Sequence, residues 1–312
     1  MDSSSTSSTF ERLASSRLAR DLFGFDRPET QGERLHVRLV EGTIAAFAAY
    51  LCWTWGLYIQ RNISEPHLEL GVAQYIDVSF MFDHYVAVGN AVVIAILLLL
   101  GLLRAWRPAY FVAVVLFHLQ YVTKNILGEI SHGSNLVGMG VLGLGLAHLY
   151  FSDETNRRRF AVGFLYFFIG VGYTSAAVCK LVATGVTWAH GHHLWMWIAE
   201  RKTDVISKFG AFDPNLLQEI VLTDVTWATA VLTFGHLSEL FSFLIWWRPF
   251  RYPVMLMVVA LHIGIWLTMN IFFTWTTILL ALLALPWGTV YDRVRAPDRL
   301  VVRSGREARA HS

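Results

Sequence analysis

The sequence predicts an all-α membrane protein, a bundle of about eight spanning helices with both termini on the cytoplasmic side. Three observations predict it: a composition poor in charge, apolar runs of spanning length, and arginines that recur in every second gap between those runs. The chain is 55% hydrophobic and 15% charged, with a mean hydropathy of +0.46. Runs such as Ala91 to Leu103 and Thr277 to Leu285 carry no charge at all. A helix needs about 20 mostly apolar residues to cross a hydrocarbon core of roughly 30 Å. Only helices and closed barrels satisfy their backbone polar groups in lipid, and these runs are too long and unbroken for barrel strands.

Three parts follow along the chain: a polar leader over residues 1–35, a membrane domain over 36–290 and a basic cytoplasmic tail over 291–312. Residues Met1 to Thr9 are rich in Ser and Thr, a composition that favours disorder. From Phe10 to Phe25, Phe10, Leu13, Leu18 and Leu22 are interspersed with Arg12, Arg17, Arg20 and Asp21. That pattern fits either a short helix lying on the membrane surface or a solvated leader. The first apolar run begins near Leu39, behind this leader, so no cleavable signal segment is expected.

The candidate spans are 39–59, 86–103, 108–126, 133–151, 160–184, 225–247, 252–270 and 272–288. Lys and Arg concentrate in cytoplasmic loops. Six arginines precede the first span, the last of them Arg38, and Arg104 and Arg107, Arg157 to Arg159, and Arg248 and Arg251 occupy the second, fourth and sixth gaps. In the first gap Glu65, Glu69, Asp77 and Asp83 outnumber Arg61. The stretch 252–288 reads as one overlong helix or two short ones. Two passes with a tight turn near Asn270 bring Arg293, Arg295, Arg299, Arg303, Arg306 and Arg309 back to the cytoplasm, so two are expected.

Net charge is +2, too small to point to nucleic acid. Cys52 and Cys179 both fall in spans and read as small core residues, not as a disulfide framework. The segment from Gly185 to Asp224, with Trp188, Trp195 and Trp197, is either a lid folded over a site or a free outer loop. His190-Gly-His-His193 is a single HxHH cluster on the outer side. Membrane di-iron enzymes use several histidine boxes at one face, so no metal site is expected.

Ionisable groups inside a membrane are expensive and mark functional sites. Here they are Glu41, His118, His148, Lys180, His236, Glu239 and His262, with His132 at an outer boundary. Lys180 sits about one turn below the outer surface. It either snorkels to the headgroups or is partly desolvated by Tyr173, Cys179 and the outer segment, which favours a neutral amine able to act as a base. His132 shares its depth. His236 and Glu239, three residues apart, face one side of a helix, where a buried hydrogen-bonded pair is favoured over a metal or proton-relay role. His262 needs a partner near mid-membrane, for which Glu239 is a candidate, and His148 reads as structural.

Tyr173 to Leu181, followed by Trp188, Gly191 and Leu194, resembles the pattern Y-x-x-A-G-x-x-K-L, W-x-x-G-x-x-L. That pattern is shared by the horizontally transferred transmembrane (HTTM) domain family and the related transmembrane region of vitamin K-dependent gamma-carboxylase. The segment from Glu239 through Arg248-Pro249 and Leu261-His262 to Phe272-Phe273 is similar too, so the resemblance covers about residues 35–290. It departs at Ala177, where the pattern has Gly, and at Cys179-Lys180, where the carboxylase has paired lysines. A glycine near Asn270 to Phe272 is also missing.

The resemblance implies that Lys180 is a catalytic base, assisted by His132, and that Tyr173, Trp188, His262 and Glu239 line the substrate site. It implies a reduced quinone of the vitamin K hydroquinone kind with O2, and oxygenation, epoxidation or carboxylation-type chemistry on a quinol, an isoprenoid lipid or a peptide. Too few residues follow the last apolar run for the carboxylase's lumenal substrate-docking domain, so a peptide would be presented by a partner subunit. A bacterial inner membrane is the expected location. The rival expectation is a non-catalytic membrane partner or transporter-like bundle, in which His236, Glu239 and His262 form a buried polar network.

Overall fold

The structure is a computed structural model that describes residues 16–61, 69, 71–128 and 132–295, apart from the side chain of His132. Among these residues there is no strand; the chain is built of α-helices and short 3-10 turns. In chain order the helices are α1 (Arg17–Phe23), α2 (Gln31–Arg61), α3 (Val86–Leu102), α4 (Ala109–Asn125), α5 (Asn135–Tyr150) and α6 (Glu154–Thr184). They continue with α7 (Gly191–Phe209), α8 (Leu216–Thr223), α9 (Val225–Leu240), α10 (Arg248–Met269), α11 (Thr274–Ala284) and α12 (Trp287–Arg295).

Four of these helical stretches are long and apolar enough to cross a membrane: Gln31–Arg61, Glu154–Ala189, Val225–Trp246 and Arg248–Met269. The bent pair α11 and α12 makes a fifth if the two are taken together, while α3 and α5 are apolar but shorter. Their outward faces are greasy. On α3, Val92, Val93, Ile96 and Leu99 are all exposed, and on α10 so are Leu256, Ile263 and Trp266. A helix apolar on its outer as well as its inner face belongs in lipid.

Local chemistry sets the ends of the elements. Asp153 caps α6 by accepting from Asn156 N at 2.8 Å, and the helix ends at Gly185, whose φ of 66° suits a residue without Cβ. Asn270 takes up the left-handed conformation at the end of α10, which gives the tight turn expected there. The last apolar segment is not one straight span. Pro286 cannot continue the hydrogen-bond ladder and forces Leu285 into extended backbone, so α12 leaves α11 at 48°.

The bundle has an arginine-rich end. Glu41 on α2 receives Arg104 Nη1 at 2.5 Å and Nη2 at 2.8 Å, and the Tyr110 hydroxyl at 2.7 Å. Arg107 caps α5 through the carbonyls of His148 and Leu149. Glu29, between α1 and α2, receives Arg158 Nε at 2.6 Å and Nη2 at 2.7 Å. Burial alone would raise the Glu29 pKa, but its hydrogen bonds and charge pairing with Arg158 and Arg34 hold it below the usual carboxylate value. The ends of α2, α3, α4, α5 and α6 therefore meet at one level, as antiparallel neighbours joined by short connections must.

The leader helix α1 packs on the bundle: Leu22 is buried and Phe23 stacks on Phe160 of α6, while Phe10 and Leu13 lie outside the described residues. One expectation needs correction. Cys52 is a core residue, but Cys179 is exposed on the outward face of α6. Of the two alternatives for the segment after Gly185, the structure shows the folded one, with Trp188, Leu194 and Trp197 lining a cavity. In this segment α7 packs on α9 through Leu194, Ile198, Ala228 and Leu232, with Val221 of α8 completing a small core. Gly191 makes that approach possible, since a Cβ there would lie 2.3 Å from the Val225 carbonyl oxygen.

Candidate functional site

Lys180 lies near the end of α6 opposite the arginine-rich end. At 1.5 Å per residue, the rise along α6 from Arg159 to Lys180 is about 32 Å. Its ammonium does not extend away from the bundle. Lys180 Nζ donates to Glu239 Oε1 at 2.7 Å and Oε2 at 2.5 Å, and sits 4.4 Å from the centre of the Trp188 ring. The lysine side chain is 28% exposed and the glutamate side chain 11%, so the pair is partly, not wholly, withdrawn from its surroundings. The indole face adds a second favourable contact to the cation.

Glu239 reaches this position because α9 breaks just beyond it. After Leu240 the chain continues as a 3-10 turn, Phe241–Trp246. Thr174 of α6 stabilises the break: its hydroxyl accepts from Phe243 N at 3.1 Å and lies 3.4 Å and 3.3 Å from the carbonyl oxygens of Glu239 and Leu240. Thr174 thus fixes the backbone that carries Glu239, a role the sequence did not disclose. Ser242 supports the same segment by donating to Ser238 O at 2.7 Å.

The pair opens onto a cavity of about 230 Å3, lined by Trp188, Trp197, Leu261, Gly264, Ile265 and Phe273 among others. Apart from Lys180, Glu239 and Thr268, its walls are apolar. Trp188 is held by neighbours, with Trp197 at 5.7 Å between ring centres, His236 at 5.4 Å, and its carbonyl accepting from His193 Nδ1 at 2.9 Å. Tyr173 and His262 form a second polar pair, the Tyr173 hydroxyl hydrogen-bonding to His262 Nε2. The His262 ring meets Phe273 edge-on at 5.4 Å, which links this pair to the cavity wall.

Of the residues expected to share a site, Lys180, Trp188 and Glu239 are in contact, and Tyr173 and His262 adjoin them through Phe273. The backbone of His132 begins the 3-10 turn His132–Ser134, but its side chain lies outside the described part. The turn is close to the cavity wall: Gly133 O accepts from Thr276, and Phe273 is the nearest neighbour of Gly133. The expected pairings of Glu239 are corrected. It binds Lys180, not His262 or His236, because the lysine stem from α6 reaches it first. Both nitrogens of His236 and Nδ1 of His262 are buried without a hydrogen bond among the described residues.

The remaining histidines lie elsewhere. His148 contacts Arg104 Nη1 at 3.4 Å at the arginine-rich end, in keeping with a structural role. His118 stacks on Tyr121 in a wide lateral cleft between α4 and α5. His190 packs on His192, which meets Trp195, while His193 stacks on Trp197, and no group of three metal-ligating side chains occurs among the described residues. Comparison with protein-family models, curated proteins and solved structures finds no match to this chain.

Breaking a buried ion pair on one side leaves an uncompensated charge, whereas replacing both partners by apolar groups removes the penalty. Glu239→Leu alone is expected to destabilise the protein by about 2–4 kcal/mol, discounted from fully buried pairs for the partial exposure of Lys180. The double variant Lys180→Leu with Glu239→Leu is expected to recover at least half of that loss. Thermal unfolding in detergent of the parent, both single variants and the double variant measures it; additive losses would mean that the two side chains do not interact.

Proposed function

We propose that the protein is an integral membrane enzyme of eight spans, with both termini cytoplasmic, that moves a proton on a lipid-soluble substrate at the outer end of the bundle. One observation carries this reading: the Lys180–Glu239 pair faces an otherwise apolar cavity. The rise of about 32 Å between Arg159 and Lys180 is close to a hydrocarbon thickness of roughly 30 Å, which supports a position for the pair at the far interface from the arginines. Shorter helices α3, α4 and α5 count as spans in this reading because they pack between α2 and α6 with their ends at the same levels. A bacterial inner membrane fits the arginine distribution.

The chemistry follows from dehydration. While the ammonium retains contact with its surroundings, the charged pair is favoured. An apolar molecule entering the cavity strips that contact away, and in a low dielectric a neutral amine beside a neutral carboxylic acid becomes competitive. The proton passes from Nζ to Glu239, and the amine accepts a proton from an acidic O–H of the substrate. The products are an ammonium, a protonated Glu239 and a substrate anion, so protons and charge balance.

The resemblance of Tyr173 to Leu194 to the HTTM and gamma-carboxylase pattern points to a reduced quinone, an isoprenoid lipid or a peptide presented by a partner subunit. The aromatic walls of the cavity suit a flat ring. A reduced quinone, when bound, supplies an oxidisable ring for oxygenation, epoxidation or carboxylation-type chemistry. A second reading rests on the ion pair itself: as a clamp between α6 and α9, it serves equally in a non-catalytic bundle.

The span count is tested by cysteine labelling in a Cys179→Ser background. Gln74→Cys and Ser207→Cys should react with a membrane-impermeant maleimide in intact cells, and Ala105→Cys only after lysis. Labelling of Ala105→Cys in intact cells would eliminate the crossing by α3. The enzyme reading is tested by profiling lipids and quinones in cells that express the parent or the Lys180→Met, Glu239→Gln double variant. A product species that disappears with the double variant while its precursor accumulates supports catalysis. Identical profiles, from a double variant that folds as the parent does, support the structural clamp.

A further inference from the structure

We propose that a second cavity, at the arginine-rich end of the bundle, binds a phosphate group. It has a volume of about 140 Å3 and lies between α1, the start of α2, α6, α10 and α12. A single water needs about 10–15 Å3 of such space, so a tetrahedral oxyanion fits. Three arginines line it, Arg27, Arg159 and Arg251, together with Thr30, Glu33 and His36.

Arg159 is the decisive residue. Its side chain is 3% exposed, yet Nε and Nη2 make no hydrogen bond among the described residues. Those two atoms form one edge of the guanidinium, the edge that grips a carboxylate or phosphate through two parallel bonds. The carboxylate nearest that edge, Glu33 Oε2, is 3.6 Å from Nη2, within ion-pair range but too far for a hydrogen bond. A buried guanidinium edge without an acceptor is costly, and an oxyanion in the cavity removes that cost.

The surrounding groups favour an anion. Arg251 is buried against the Tyr166 ring, and its hydrogen bonds go to the carbonyls of Ile245 and Asp21, which leave its positive charge in place. Arg27 stands at the rim, half exposed, 3.4 Å from Glu33 Oε1. His36 donates to Leu282 O, and the nearby carboxylate of Asp292 accepts from Gly32 N. Three arginines therefore face one lining carboxylate. That excess of positive charge favours a phosphate monoester over a singly charged diester, whether it arrives on a membrane lipid or dissolved in the cytoplasm.

The test uses the purified full-length protein in a maltoside detergent at fixed ionic strength. Inorganic phosphate, dihexanoyl phosphatidic acid and dihexanoyl phosphatidylcholine are titrated separately, with thermal unfolding as the readout. Phosphate or phosphatidic acid should stabilise the parent saturably. Arg159→Gln should weaken that affinity about tenfold or more, as expected for a lost charge-assisted bidentate contact. Arg27→Gln should weaken it by a smaller factor, while Glu33→Gln should strengthen it. Arg27 is half exposed, so its variant keeps the test decisive if Arg159→Gln fails to fold. Stabilisation by phosphatidic acid alone identifies a lipid headgroup; stabilisation by inorganic phosphate as well identifies a soluble ligand. No saturable effect of either anion, an equal effect of phosphatidylcholine, or unchanged affinity in the variants would overturn the proposal.

Discussion

Lys180 and Glu239 tie α6 to α9 at the point where α9 gives way to a 3-10 turn, and the arrangement of the cavity follows from that tie. The carboxylate is carried on backbone held by Thr174, and the ammonium lies between it and the Trp188 face. Trp188 in turn belongs to the segment that leads into α7, which closes one side of the cavity. A charged pair partly withdrawn from its surroundings carries a desolvation penalty before its attraction is counted. Such a pair is a weak source of stability and a strong constraint on geometry. Its position beside an apolar cavity is what motivates the proposed proton transfer.

The two ends of the bundle handle charge differently. At the arginine-rich end, Glu29 and Glu33 are each approached by two arginines and Glu41 by Arg104 and the Tyr110 hydroxyl, and spare donors turn to helix-terminal carbonyls. That belt fixes the level of five helices and leaves the Arg159 edge facing a cavity. At the other end, the polar groups of the site contact aromatic rings: Lys180 and His236 with Trp188, His262 with Phe273. Aromatic faces satisfy a cation or an imidazole without adding a second charge. The contrast gives one end the character of an electrostatic anchor and the other that of a pocket for an apolar molecule.

Much of the fold was legible because it rests on segment length and apolar content. The helices from Gln31 to Arg61, Glu154 to Thr184 and Arg248 to Met269 lie where the apolar runs lie, and Asn270 makes the expected turn. Two features were hidden for physical reasons. The break after Leu240 contains neither Pro nor Gly; it depends on the hydroxyl of Thr174, which comes from another helix. The packing of α7 on α9 depends on Gly191 meeting the Val225 carbonyl, a contact between segments distant in sequence. The partners of the buried charges were only partly legible. Depth along a helix singled out Lys180 and Glu239 separately, but their pairing depends on which faces α6 and α9 turn to each other. The stretch 252–288 divides near Asn270 into two helical segments as expected, while Pro286 bends the second where a straight span was expected.

The central claim is that Glu239 receives the Lys180 proton when an apolar molecule enters the cavity. Infrared difference spectroscopy on the purified protein, with and without a lipid-soluble naphthohydroquinone, observes that proton directly. On binding, a protonated-carboxyl band should appear as a carboxylate band is lost, and both changes should be absent from the Glu239→Gln spectrum. Binding without any new carboxyl band, or with a band that persists in Glu239→Gln, would contradict it.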